Sequence, residues 1–235
     1  MKFQRASPTW LYLLGILCSF FLAAAQPPPE SGDLEAVLKR MDETAKTFRS
    51  TQAKFTWIQY NSVVNDIADT QTGVIYFRRS EGEIQMAADI AQPDQKQVIF
   101  SRGKIQIFQT RTGTVDVYDA GSHREEFESF LVLGFGGGGH EMLKSFDVKY
   151  LGEEAPAGVQ TAKLDLIPKS EKVRQMFSHI QLWIDSENGL SVQQQLFQSN
   201  GDYRLAKYSA IQLNRKISEN AFKLKTPASA RTVTH

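Results

Sequence analysis

After one helical stretch near its start, this chain alternates apolar and polar residues with a period of two through most of its length, and that alternation is what most limits its fold. Lys54–Tyr60 puts Phe55 and Trp57 on one face. Gly73–Arg79, Glu83–Ala88, Gln97–Ser101, Lys104–Gln109 and Thr114–Tyr118 repeat the pattern. It returns in Phe146–Leu151, Thr161–Ile167, His179–Asp185, Leu190–Phe197 and Tyr203–Leu213. Asn65–Thr72 reads as a polar turn, while Arg102-Gly103, Asn188-Gly189 and Asn200-Gly201 are hairpin signals. Short links favour antiparallel neighbours. The expected fold is therefore mainly β: a curved antiparallel sheet of about eleven strands that closes, or nearly closes, into an open barrel.

The exception to the alternation is Asp33–Arg49. Leu34, Val37, Leu38, Met41, Ala45 and Phe48 recur at helical spacing and line one face, and the charged residues take the others. Such a stripe needs a concave apolar surface to receive it. A second helical segment is expected mid-chain at His123–Leu133, burying Phe127, Phe130 and Leu131, with a further short turn at His140–Lys144. Between them Gly134–Gly139 reads as a flexible loop or helix terminator.

The chain opens with Lys2 and Arg5, an apolar run Trp10–Leu22, and small residues Ala23-Ala24-Ala25, the pattern of a signal peptide cleaved after Ala25. The run falls short of the roughly 20 apolar residues of a spanning helix. A lipoprotein-processing site is disfavoured because Ile16-Leu17, rather than small residues, precede Cys18. The expected organisation is a signal peptide at residues 1–25, a Pro-rich linker at 26–32 and a single domain at 33–235. Cys18 is the only cysteine, so the exported chain is expected to lack disulfides and thiol chemistry. Its 27 basic and 26 acidic residues are interspersed and form no footprint for nucleic acid.

Chemical motifs fail on inspection. A phosphate loop needs Gly-Lys-Ser/Thr at the end of its glycines, and here Gly139 is followed by His140-Glu141. His140-Glu141-Met142-Leu143-Lys144 begins like a zinc-protease helix but has Lys144 where the second histidine belongs. No Gly-x-Ser-x-Gly elbow occurs. Neither an enzyme, a metal site nor a cofactor is expected.

What the chain does supply is apolar surface. Phe55, Trp57, Ile75 and Phe77 lie on successive strand faces, followed by Ile84, Met86 and Ile107, and then by Leu164, Leu166, Leu182 and Ile184. Leu38 and Met41 of the helix would face them. The plain reading is that these residues pack the core. The alternative is that some line a cavity, since a sheet this curved encloses space that one helix need not fill.

The helix followed by KFTWIQY, GVIYFRR, QVIFSRGKIQIF, Leu166-Ile167-Pro168-Lys169 and the closing Ala221-Phe222-Lys223-Leu224-Lys225-Thr226-Pro227 resembles the periplasmic outer-membrane lipoprotein carrier family, LolA. The resemblance implies an open barrel covered by helices, with an apolar cavity for lipoprotein acyl chains. It also implies a periplasmic monomer that collects cargo from an inner-membrane lipoprotein-releasing transporter and passes it to an outer-membrane acceptor. An arginine after the family's second strand bonds to the helical lid. Arg79 stands at that position, with Arg78 beside it as a second candidate and Ser80 where the family has proline. The alternative is a periplasmic module that senses lipids or lipoproteins and signals to a membrane partner. Physics makes a carrier necessary: at about 0.8 kcal/mol per methylene, a chain of about 16 carbons faces roughly 12 kcal/mol on entering water.

Overall fold

The computed structural model describes residues 31–80, 82–119, 121 and 133–235. The signal peptide, most of the linker and the helix expected at His123–Leu133 up to residue 132 lie outside the described residues. Helix α1 spans Ser31–Thr47, and a turn later the chain enters the sheet. Six strands follow: β1 Ser50–Asn61, β2 Asp66–Ser80, β3 Glu83–Gln92, β4 Lys96–Ser101, β5 Lys104–Gln109 and β6 Thr114–Asp119. Helix α2, Gly139–Ser145, leads into β7 Phe146–Glu154 and β8 Thr161–Pro168. Helix α3, Glu171–Met176, precedes β9 His179–Asp185, β10 Ser191–Phe197, β11 Tyr203–Leu213 and β12 Arg231–Thr234.

All twelve strands form one open sheet in the order β12-β6-β5-β4-β3-β2-β1-β11-β10-β9-β8-β7. Every pairing but one is antiparallel between neighbours in the chain or between β1 and β11; β12 runs parallel to β6. Alternation explains the faces. Phe55 stands opposite Tyr208, Phe77 opposite Met86, and Met86 opposite Phe100, so one side of the sheet is apolar from strand to strand. Irregular register in β1, at Thr72/Gly73 and at Tyr150/Gly152 bends the strands. At Gly73 only glycine fits, because a Cβ would lie 2.1 Å from the Asp89 carbonyl oxygen. The hairpin at Arg102-Gly103 has both residues at positive φ, 53° and 72°, as a tight turn matched to strand twist requires.

One expectation needs correction. The polar stretch Asn65–Thr72 is strand from Asp66 onward, and the turn is the four residues 62–65. Its backbone groups pair with β1 through Tyr60↔Ile67 and Ile58↔Thr70, which satisfies them whatever the side chains are. The sheet expected at about eleven strands has twelve; the exposed segment Arg231–Thr234 pairs with β6 without any apolar alternation to announce it. Helix α3 also went unread, being too short to show a period. The segment after β11 crosses the outer, convex face. There Phe222 packs on Tyr76 and under the Arg78 guanidinium, and the Lys225 ammonium lies 3.5 Å from Asp89.

Candidate functional site

The concave face carries two apolar clusters. One gathers Phe48, Phe55, Ile75, Phe77, Met86, Phe100 and Tyr208, with Ile84 packed against it, on the β1–β5 side. The other gathers Leu164, Leu166, Ile180, Leu182 and Ile184 from β8 and β9 beneath Leu38 and Met41 of α1. Ten of the thirteen residues expected to line a cavity are fully buried in these clusters, among them Leu164, Leu166 and Leu182 at 0% exposure. Trp57 is instead 41% exposed, and Ile84 and Ile107 are half-buried. In the conformation described, most of the expected lining is thus covered rather than open.

The covering is supplied by α1 and by the glycine run, which packs against the sheet and α1. Leu133 enters the cluster under α1, and Phe135 enters the other, where its ring stacks on Phe77 at 4.7 Å and meets Tyr208 edge-on at 4.7 Å. Three glycines of the run have no room for a side chain. A Cβ on Gly134 would lie 2.3 Å from Ser191, on Gly136 2.5 Å from the Phe48 ring, and on Gly139 2.4 Å from the Leu38 carbonyl oxygen. The run is a plug laid flat against β10 and α1. The Gly134 carbonyl accepts from Ser191 N at 2.8 Å, and Gln194 donates to the Leu133 carbonyl while accepting from the Tyr208 hydroxyl at 3.2 Å. Burial pushes the Tyr208 hydroxyl well above its ordinary pKa, so it remains a donor.

Few polar contacts fasten this cover. Arg79 shares its face with Phe77, and its guanidinium donates to the Gly136 carbonyl at 3.3 Å. Among the described residues its partner is the plug. Arg78 points to the convex side, where it donates to Gln85 at 2.7 Å and pairs with Glu219. His140 of α2 sits between two carboxylates of α1, Nδ1 2.5 Å from Asp42 and Nε2 3.3 Å from Glu35. The bond to Asp42 and the charges of Asp42 and Glu35 hold the His140 pKa above its ordinary value. Burial acts to raise the Asp42 pKa, but the side-chain and backbone bonds from His140 outweigh it and leave it lowered. At the other end of α1, Asn214 accepts from Arg49 N at 2.7 Å and donates to the Thr47 carbonyl at 3.0 Å.

Two spaces matter. An apolar pocket of about 50 Å³ lies at the seam of α1, the plug and α2, bounded by Met41, Leu133, Met142 and Phe146. A groove of about 560 Å³ opens at the other end of the concave face, past the edge of the Phe55 cluster, and Trp57, Ile90, Val98 and Ile107 form its apolar part. The second has the size of a ligand site, roughly 300–1,000 Å³. Among the described residues no group of three or more His, Cys, Asp or Glu is placed to hold a metal ion, and no helix is long and apolar enough to cross a membrane. Sequence reasoning missed Phe135, Arg204 and Lys96. A lone phenylalanine inside a glycine run was the available signal for the first.

No family model matches the chain, and no curated protein matches it in sequence. Solved structures do share its fold. MucB aligns over 83% of this chain and 64% of its own at 17% identity, with a TM-score of 0.53, so the chain spans a little under two thirds of that protein. An uncharacterized conserved protein from Thermus thermophilus aligns over 86% of this chain and 99% of its own at 11% identity, with a TM-score of 0.54. A LolA superfamily protein from Nitrosomonas europaea aligns over 81% and 97% at 11% identity, with a TM-score of 0.41. At these identities the likeness is one of fold.

Proposed function

We propose that this protein is a periplasmic carrier that takes acyl chains of lipoproteins, or of other lipids, against the concave face of its sheet. The observation that carries the reading is the cover. Two apolar clusters on the concave face, one on the β1–β5 side and one on β8 and β9, lie under one helix and a glycine-rich plug, and neither cover is paired into the sheet as a strand. Displacing α1 and Phe135 would expose Phe55, Ile75, Phe77, Met86, Leu164, Leu166, Leu182 and Ile184 as one surface. Closing the cover offsets part of the gain from burying a ligand, which suits a carrier that must let go. Arg79 would restrain the plug. The donor is an inner-membrane lipoprotein-releasing transporter and the acceptor an outer-membrane protein.

Native mass spectrometry of the full chain purified from a periplasmic extract, with uptake of a fluorescent fatty acid, tests binding. Co-purifying lipid and saturable uptake are expected. Absence of both would sink the lipid reading. Transfer of the fatty acid between donor and acceptor vesicles separates a carrier from a sensor, since a module that only reports lipid to a membrane partner would bind without speeding transfer.

A further inference from the structure

Trp57, Ile90, Val98 and Ile107 make an apolar floor at the open end of the concave face, yet this groove is not lined like a site for hydrocarbon alone. Around that floor stand Asp69, Lys96 and Arg204, with the amides of Gln59, Gln71 and Gln109 between them. The amides hold most of the polar groups. Gln71 donates to Asp69 at 2.6 Å, Gln109 donates to Asp116 at 2.9 Å, and Arg204 donates to Gln59 at 2.8 Å. Asp116 is further occupied by His235, 3.1 Å away. Lys96 differs. Among the described residues its ammonium has no hydrogen bond and no ion pair, and it stands directly across the β3–β4 pair from Ile90 of the floor.

An acyl chain laid along Ile90 and Val98 would strip water from that ammonium. Burying an unpaired charge is costly, whereas a ligand bringing its own anion removes the cost. The guanidinium of Arg204 still has donors beyond the one given to Gln59. The groove's two cations face one carboxylate, Asp69, that is already bonded. We propose that this groove binds an anionic amphiphile, its carboxylate or phosphate head on Lys96 and Arg204 and its chain on the Trp57–Ile107 floor. This rests on the lipid-binding reading and narrows it to acidic heads.

Calorimetric titration of the full chain with palmitate, hexadecyl phosphate and methyl palmitate tests it. Palmitate and hexadecyl phosphate are expected to bind at least about tenfold tighter than the ester, with the preference shrinking as salt is added. Whichever of the two binds more tightly identifies the head. Lys96→Gln should bring the preference for acid over ester to about threefold or less, and Lys96→Arg should restore it. Equal binding of acid and ester by the parent protein would overturn the inference and leave lipid binding intact. Failure of all three to bind would overturn both. Inorganic phosphate binding as tightly as hexadecyl phosphate would reject the amphiphile in favour of a bare anion site.

Discussion

His140 on α2 and Asp42 on α1 are joined twice, ring to carboxylate at 2.5 Å and backbone N–H to carboxylate at 3.2 Å, and this pair clasps the cover to itself. Glu35 completes the grip from the other side of the ring at 3.3 Å, while the neighbouring Glu141 and Lys144 pair with each other at 2.7 Å. The His140 pKa is raised, so its contribution is full below the ordinary value of about 6.5 and is lost as pH rises through the elevated one. The Asp42 pKa is lowered, so its contribution is present above about 3.9 and fades only as pH falls through the depressed value. The clasp is thus strongest in mildly acid solution. Melting temperatures of the parent and His140→Gln proteins should differ most near pH 6 and converge towards about pH 9. A difference that does not change with pH would refute the clasp.

Arg79 and Arg78 are neighbours with opposite duties. Arg79→Leu releases the Gly136 carbonyl, a part-buried contact with a value of about 1 kcal/mol, so stopped-flow uptake of a fluorescent fatty acid should quicken by up to about fivefold with little loss of stability. Arg78→Leu removes the Glu219 pair and the Phe222 contact on the convex face and should leave uptake as it was. The reverse pattern would shift the restraining role by one residue.

Phe135 fills the space between Phe77 and Tyr208. Phe135→Ala should cost about 3–5 kcal/mol in urea unfolding, because its site cannot collapse onto a strand on either side. The same void should increase fatty-acid binding. Lost stability with no gain in binding would make Phe135 core and nothing more.

Gly139 lies against the α1 backbone at Leu38. Gly139→Ala forces the two helices apart and should lower stability by about 1–3 kcal/mol, read as a fall in thermal midpoint. An unchanged midpoint would show that α1 and α2 separate at little cost.

Much of the architecture was legible because strands write their faces into the sequence. Phe55, Phe77, Met86 and Leu164 were placed on the buried side by alternation alone, and α1 by Leu34, Leu38 and Met41. Arg79 was singled out by the resemblance, with Arg78 beside it as a second candidate. Periodicity is silent where the backbone is irregular. In Gly134–Gly139 only Phe135 hints that the chain returns to the sheet, because the close approaches of Gly134, Gly136 and Gly139 are made by what the glycines lack. The Asn214 staple was invisible for a related reason: it joins the start of β1 to the end of β11, and side-chain bonds between remote segments leave no local pattern. Lys96 and Arg204 carry no local pattern that marks them, because only the curvature of the sheet brings them to one groove.

The pairing of β1 with β11 places Thr51 beside Leu213, so the middle of the sheet is sewn from the first strand to be synthesised and the last long one. Strands β1–β6 and β7–β11 are each a succession of neighbours and can assemble by short-range closures. Their union is the slow, long-range event, with a large loop to close. Until β11 arrives, β1 presents a twelve-residue edge bearing Phe55, Trp57 and Ile58 without a partner. A chain halted before Tyr203 would keep that edge bare and be prone to aggregate. The last long strand is what makes the first one safe.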